Sequence, residues 1–387
     1  MRQRSILNRL RGWVKRLSLP LNALVITAIA FGLSYFVKYD LSSISAFAPM
    51  EKATDFDLTD VYNSVADRRA KRVLSDDIVI VSVDGCSRKE IADVIDYVDY
   101  MNPSAIGLDV FFSYPSEADS ELIACLSQCR NIVLPVGIQR SGRQTSIFGS
   151  YFYDDFPVEH KGVVNLSVNS VRNVIRDFVP EYVIGEDTLR SFSAELARIA
   201  APKKYEALMA RGRGLEPINY PSWEFEIISA EELCGGQSLD DMKQYIEGKV
   251  VMIGNIFDHS DHHLTPVDEG MAGLMIHARI LQTILDSCYI DRTPEDTSWT
   301  MAIVLSFVFI LLVLKIKKDF PFDDLIVRIL QLAVIYLFLV FGCKAFANNG
   351  RYLNFGPTLL MFGLGLLARD IWLGLIGLIV YVRNRKK

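Results

Sequence analysis

Histidine and cysteine are scarce in this chain, which has five of the first and six of the second. The sequence also lacks the GxSxG, HExxH, Walker and GxGxxG motifs in the context that their chemistry needs. No two cysteines are spaced as a CxxC pair, so a zinc site built from cysteine is not indicated. Ser260 beside His259 is a lone adjacency. We therefore expect the chain not to be an enzyme.

Charge is absent from residues 21–37 and from Trp299 to Leu314. Two later runs are apolar with few charged residues. Each run is long enough to cross the hydrocarbon core of a bilayer as a helix. The sequence therefore predicts four transmembrane helices, at residues 21–38, about 298–314, 325–347 and 355–382.

The last apolar run contains Arg369 and Asp370 side by side. Adjacent charges in such a run are costly unless they pair, face the interior of a bundle or mark the end of a span. One interpretation is a transmembrane polar pair within a signalling bundle. The other ends the fourth span near Arg369 and leaves residues 370–387 as an interfacial helix. The sequence leaves both open.

Basic residues fall in three clusters, which four spans would place on one side of the membrane. The clusters are Arg2, Arg4, Arg9, Arg11, Lys15 and Arg16; Lys315, Lys317, Lys318 and Arg328; and Arg383, Arg385, Lys386 and Lys387. Cytoplasmic flanks are enriched in lysine and arginine. We predict a multi-pass protein of the bacterial inner membrane with both termini cytoplasmic.

In this topology residues 1–20 form a basic interfacial segment and residues 40–297 form a periplasmic domain. A cleaved signal peptide is the alternative for the first apolar run, with Ala46-Phe47-Ala48 as the small-residue cleavage site. The region from Asp40 to Asp296 holds 42 acidic and 23 basic residues, a net charge of −19. This charge disfavours nucleic acid as a partner.

The outer region reads as an α/β fold. A β-branched run at residues 77–84 and apolar, strand-like runs at residues 105–111 and 131–136 alternate with helical periodicity at residues 88–100 and 117–129. Further strands are predicted at residues 162–166, 224–228 and 248–254, and further helices at residues 189–211, 240–247 and 274–287. The alternation indicates a parallel or mixed sheet flanked by helices.

Ligands of open parallel sheets bind beyond the carboxyl ends of the strands. Asp84, Asp109 and the loop after Gly254 are the candidates at that edge. The alternative role for a strand-end aspartate is to fix a turn or cap a helix. The loop also collects His259, Asp261 and His263, which could bind a divalent metal, although their spacing matches no established motif. No other cofactor is predicted.

Together these segments resemble the type-2 CHASE domains, the Cyclase/Histidine-kinase-Associated Sensory Extracellular family. The matching stretches are IVIVSVDGCS (78–87), PSAIGLDVFF (103–112), NIVLPVG (131–137), GVVNL (162–166) and GKVVMIGN (248–255), followed by the Asp261 to Pro266 loop and Ile276-His277-Ala278. The resemblance implies a sensory role. The family's characteristic positions fall on Asp84, Asp109, Gly254, Asp261, Thr265, Pro266 and His277, which are therefore the candidate ligand-binding residues.

We expect a membrane sensor or transducer that binds a small molecule or an envelope partner outside and signals through its helices. Only a few basic residues follow the last predicted span, whereas a catalytic output domain needs on the order of a hundred residues. The output is therefore expected in a separate protein, in a standalone form of the family. Membrane lipid is a partner, and a homodimer is possible. The alternatives are a periplasmic metal-dependent enzyme and a non-signalling envelope scaffold.

Overall fold

The computed structural model of the protein describes residues 2–40, 57–141, 144–154, 158–167, 173–185, 187–235, 239–316 and 323–385. The chain divides into two compact units. One comprises Met1–Tyr62 and Asp291–Lys387, and the other comprises Asn63–Ile290. The sequence Ala46-Phe47-Ala48 and the residues Lys317, Lys318, Lys386 and Lys387 lie outside the described residues, as do the side chains of the first basic cluster.

A seven-stranded sheet runs through the unit Asn63–Ile290. Its strands are β1 (Val73–Ser82), β2 (Ala105–Asp109), β3 (Ile132–Ser141), β4 (Gln144–Phe148), β5 (Lys161–Val163), β10 (Trp223–Ser229) and β11 (Val250–Gly254). The order is β10-β1-β11-β2-β3-β4, and β5 also pairs with β3. All neighbours are parallel except β3 and β4. The predicted parallel or mixed sheet is confirmed.

Helices cover both faces of this sheet. They are α3 (Arg88–Tyr100), α4 (Asp119–Gln128), α5 (Phe192–Ala200), α6 (Pro202–Ala210), α7 (Ala230–Gly235), α8 (Leu239–Ile246) and α9 (Gly273–Leu285). A further helix, α2 (Leu58–Arg69), precedes β1 and begins in the other unit. Short two-stranded pairs join β6 (Asp177–Phe178) with β9 (Glu216–Pro217), β7 (Glu181–Ile184) with β8 (Asp187–Arg190), and β12 (His262–His263) with β13 (Met271–Ala272).

The β-branched residues Ile78 to Val81 are fully buried at the centre of the sheet. Alternate residues of β1 point to opposite faces and enter two separate cores. Val79 and Val81 pack in the core that contains residues of α3, α4, α7 and α8. Ile78 and Ile80 pack in the core that contains residues of α5, α6 and α9. Burial on both faces is why the sequence of β1 is a continuous apolar run.

Two local features place α3 and α5. Ser87 caps α3 by accepting from the backbone N–H of Glu90, and the Glu90 carboxylate accepts from the backbone N–H of Ser87, which is a complete capping box. Helix α5 lies directly against β5, where a Cβ on Gly162 would stand 2.6 Å from Phe192 Cα. The sheet can approach α5 this closely only because residue 162 has no side chain.

The structure differs from the sequence prediction in two helical segments. No helix was predicted at residues 57–71, yet α2 spans Leu58–Arg69. Its buried face mixes apolar Tyr62 with polar Thr59 and Asn63, so hydropathy alone shows no clear period. The predicted helix at residues 189–211 is instead two helices, because Pro202 lacks the N–H that a continuous helix would need.

Among the described residues of the unit Met1–Tyr62 and Asp291–Lys387, four α-helices lie wholly within the unit, together with the short pair β14 (Asp291–Arg292) and β15 (Arg351–Tyr352). They are α1 (Arg2–Tyr35), α10 (Glu295–Lys315), α11 (Asp323–Asn349) and α12 (Gly356–Arg385). Four stretches are long and apolar enough to cross a membrane: Ser18–Tyr39, Glu295–Lys315, Asp324–Asn349 and Gly356–Leu378. This confirms the predicted pattern of one N-terminal and three C-terminal apolar helices.

Small side chains let three of these helices pack closely. Ala23 and Ala30 of α1, Ala302 of α10 and Ala368 of α12 are all buried in one core. Next to Ala368, the guanidinium group of Arg369 lies 3.3 Å from Asp324 Oδ1 of α11, and it also contacts the neighbouring Asp370. The charged pair therefore has a third member, and the three side chains together carry one excess negative charge.

Candidate functional site

A cavity of about 480 Å³ opens at the carboxyl edge of the sheet. The edge is formed where Asp109 of β2 pairs with Gly254 of β11, and Gly254 pairs in turn with Ser82 of β1. The lining comprises Asp109, Val110, Phe111, Gly137, Phe148, Val164, Asn165, Leu166, Asn255, Asp258, Asp261, His263, Gly273 and His277. Of the seven candidate ligand-binding residues, Asp109, Asp261 and His277 line this cavity.

Asp109 is the last residue of β2 and is half-buried. Its carboxylate makes no hydrogen bond or ion pair with any residue that the structure describes. Burial raises the pKa of Asp109 to about 7, and the negative charge of Asp261 adds to the increase. A carboxylate in this position is desolvated without a compensating partner, which is costly for folding.

Asp261 also lines the cavity and belongs to the short 3-10 turn His259–Asp261. Asp258 caps this turn by accepting from the backbone N–H and the hydroxyl of Ser260, and these hydrogen bonds lower the pKa of Asp258. Asp261 Oδ1 lies 3.1 Å from His263 Nε2. The Asp261 carboxylate packs on Gly273, the first residue of α9, where a helix N-terminus stabilises negative charge.

Gly273 is required by this packing, since a Cβ there would lie 2.4 Å from Asp261 Oδ2. We expect Gly273→Ala to displace the Asp261 carboxylate and lower the free energy of unfolding by about 1 kcal/mol, a modest overpacking cost. Denaturant unfolding of the full chain in detergent measures this. Gly270→Ala is the matched control because nothing lies within 4 Å of a Cβ at Gly270. Equal stability of the two variants would contradict the packing role.

His277 lies one turn into α9 and is 3% exposed. Its Nε2–H donates to the carbonyl of Val164 over 3.2 Å, and Ser193 Oγ of α5 donates to the His277 carbonyl over 2.8 Å. Burial lowers the pKa of His277 to about 4, so the imidazole is neutral at physiological pH. His277 therefore links α9 to the strand segment that follows β5.

The other candidate residues stand apart from the cavity lining. The Asp84 carboxylate accepts from the backbone N–H groups of Ile256 and Phe257, at 2.8 and 3.1 Å, and from the Ser82 hydroxyl. It lies at a second cavity of about 540 Å³. Thr265 is buried, and its hydroxyl and backbone N–H both bond to the carbonyl of Asp268, which fixes a turn that includes Pro266.

The histidines of the loop do not converge. The His259 ring lies 5.1 Å from the ring of His262, whereas His263 contacts Asp261. Adjacent residues of the extended pair β12 point in opposite directions. Within the described part of the chain, no group of three or more His, Cys, Asp or Glu is arranged to hold a metal ion. A metal at His259, Asp261 and His263 stays a prediction.

Two aromatic residues of the site were not anticipated from the sequence. Phe111 and Phe148 stack at 5.6 Å between ring centroids and line the cavity together. Phe111 follows β2 directly and could have been found from the strand-end rule. Phe148 could not, because it reaches the cavity through the antiparallel pairing of β4 with β3, in which it lies opposite Gly137.

The cavity lining combines carboxylates with apolar and aromatic side chains. Three carboxylates line it, and none of the described lining residues is lysine or arginine. The cavity therefore carries a negative potential, which attracts cations and hydrogen-bond donors and repels anions. A concave, mostly apolar cavity with a few polar groups is typical of a small-molecule binding site.

The chain therefore combines an α/β unit that has a cavity with four stretches, among the described residues, that are long and apolar enough to cross a membrane. The chain belongs to the CHASE2 domain family, whose model matches residues 41–316. The sensory domain and the candidate spans together fit a membrane sensor. No curated protein and no solved structure matches the chain.

Proposed function

We propose that the chain is a membrane sensor whose α/β unit binds a small extracytoplasmic molecule in the acidic cavity and signals to a separate effector protein. The observation that carries the proposal is the position of α9. Its first residues, Gly273 and His277, line the cavity, and α10, the first of the three C-terminal candidate spans, follows α9 after residues 286–294.

A ligand shifts a conformational equilibrium only if its contacts differ between the two states. Contacts with Asp261, Gly273 and His277 would depend on how α9 is placed against β11 and α5. A ligand would therefore favour one placement of α9, and the chain continues from α9 into α10. This coupling supports a transducing role for the helices that follow.

We propose the topology that the basic clusters favour, with both termini in the cytoplasm and the α/β unit in the periplasm. We also propose that the cavity binds its ligand without transforming it. Among the described lining residues there is no serine, threonine, cysteine or lysine, so that carboxylates and histidines are the side chains left there that could act as nucleophiles. Metal analysis of the purified chain tests the enzymatic alternative, since stoichiometric metal that is lost on substituting His259 and Asp261 would favour it.

The separate effector is tested by photo-crosslinking in native membranes. A photoreactive residue at Tyr336 or Leu337 of α11, which are 66% and 63% exposed, is expected to capture a second protein. The same residue at Phe362, which is 3% exposed in the bundle, is the matched control and should capture none. The captured protein, reconstituted with the chain, must change its activity when Asp261 is replaced by Asn. Capture of lipid alone, or an unchanged activity, would overturn the proposal.

A further inference from the structure

Of the three carboxylates that line the cavity, two have polar partners and one does not. Asp258 is hydrogen-bonded by Ser260, and Asp261 contacts His263. Asp109 alone among the three carboxylates makes no hydrogen bond or ion pair with a described residue. It faces Asp261 closely enough for the two negative charges to repel one another. A positive charge between Asp109 and Asp261 would satisfy both carboxylates.

The protein does not supply this charge from the residues described. The lining has no lysine or arginine, and its two histidines are already engaged. His277 uses Nε2 to donate to Val164, and His263 lies against Asp261. The missing cation would therefore have to come with a ligand.

The rest of the cavity indicates an organic cation. Phe111 and Phe148 form an aromatic wall next to Val110, Val164 and Leu166. Aromatic faces attract organic cations and also pack against their carbon chains. A hard divalent metal instead needs about six oxygen ligands, and the described residues contain no group of three metal-ligating side chains. The volume of about 480 Å³ suits a small molecule.

We propose that the cavity binds a small organic amine, with its ammonium group between Asp109 and Asp261 and its carbon chain against Phe111 and Phe148. This inference rests on the proposed function and names the ligand class of the same site. The ammonium N–H groups donate to the carboxylate oxygens, and the side-chain oxygen of Asn255 is available to accept a further hydrogen bond from the ligand. A diol of equal length is neutral and a dicarboxylate of equal length is negative, so neither supplies the positive charge that the site needs.

Calorimetric titration of the full chain in nanodiscs tests the ligand class. The probes are butylamine and 1,4-diaminobutane, compared with 1,4-butanediol and succinate. We expect one equivalent of an amine to bind at least about tenfold more tightly than the diol, and succinate not to bind. Asp109→Asn and Asp261→Asn should each weaken amine binding by about tenfold or more. Asp187→Asn, which changes an exposed carboxylate outside the cavity, should leave the affinity unchanged.

The pH dependence gives a second readout. The groups that face Asp109 are Asp258, Asp261, His263 and His277. Because burial raises the pKa of Asp109 to about 7, its ionised fraction grows about tenfold between pH 6 and pH 8. Amine affinity should rise by about the same factor in the wild type and stay nearly flat in Asp109→Asn.

Equal binding of diol and amine, preferred binding of succinate, or no detectable amine binding at millimolar concentration would overturn the inference. Each of these results would leave the effector capture at Tyr336 and Leu337 unaffected. Failure of that capture would count against the transducing function instead. The two proposals therefore fail in different experiments.

Discussion

Glu195→Gln is expected to lower the free energy of unfolding by about 3 kcal/mol at neutral pH, because it removes the charge from a buried ionic cluster. Glu195 is 3% exposed within α5. Its carboxylate lies 2.6 Å from Arg198, 3.3 Å from Arg190 and 3.3 Å from His160. Glutamine keeps the shape of the side chain, so the loss reports the charge rather than a cavity.

The loss of stability caused by Glu195→Gln should become smaller at acid pH. Burial alone would raise the pKa of Glu195, but the hydrogen bond from Arg198 and the charges of Arg198, Arg190 and His160 hold it below 4.5. A carboxyl group whose pKa is lower in the folded than in the unfolded state stabilises the protein at pH values above the unfolded pKa. This stabilisation is lost as the pH falls through the folded pKa. The difference between wild type and Glu195→Gln should therefore be full above about pH 5 and shrink below pH 4.5.

Pulse proteolysis of the full chain in detergent, over a range of urea concentrations, measures these free energies. Glu181→Gln is the matched control, since Glu181 contacts the same Arg190 at 3.6 Å but is partly exposed. We expect it to cost less than about 1 kcal/mol. A loss as small for Glu195 as for Glu181 would show that the cluster does not stabilise α5.

The stability of α5 matters for the site because residues of α5 contact His277, which lines the cavity. Ser193, two residues before Glu195, donates to the carbonyl of His277. Phe192 packs edge-on against the His277 ring at 5.4 Å between centroids. Loosening α5 should therefore loosen the N-terminal turn of α9, which lines the cavity.

Local sequence patterns predict most of the regular elements of the sheet. The runs that became β1, β2 and β11 are apolar and bounded by turn residues, and the capping box at Ser87 and Glu90 marks the start of α3. The order of the strands in the sheet cannot be predicted from local patterns. Inserting β11 between β1 and β2 depends on contacts between residues more than 140 positions apart, and no local pattern records them. The short pair β6–β9, which joins residues about 40 positions apart, was missed for the same reason, whereas the hairpin β7–β8 is a local pair that was not predicted.

The sequence predicts which residues lie at the carboxyl edge of the sheet, and this part of the candidate site was therefore predictable. The strand-end rule places Asp109, Gly254 and the loop after it at one edge, and the structure has them there. The rule cannot tell which strand-end aspartate faces the cavity. Asp84 lies two residues beyond β1 and Asp109 is the last residue of β2, yet Asp84 accepts hydrogen bonds from the backbone of residues 256–257 and Asp109 does not.

This contrast leads to opposite stability effects for the same substitution at two positions. Asp109→Asn is expected to raise the free energy of unfolding by about 2 kcal/mol above pH 7, because it removes a desolvated charge that repels Asp261. Asp84→Asn is expected to lower it by about 1 kcal/mol, since an amide has one acceptor oxygen where the carboxylate offers two to Ile256 and Phe257.

The sign for Asp109 follows from linkage. Its pKa is raised from 3.8 in the unfolded chain to about 7 in the folded one, so the folded state binds more protons between these values. Stability of the wild type therefore falls as the pH rises through that window and is constant above it. The advantage of Asp109→Asn should be absent near pH 4, grow towards pH 7 and then stay level.

Urea unfolding of the full chain at a series of pH values measures both variants. An Asp109→Asn protein that is less stable than the wild type at pH 8, or a difference independent of pH, would contradict the unpaired carboxylate. The expected result also bears on function. In its ionised form, Asp109 lowers the stability of the fold and binds the amine. Because stability alone would favour asparagine at position 109, the role of the aspartate is to bind the ligand.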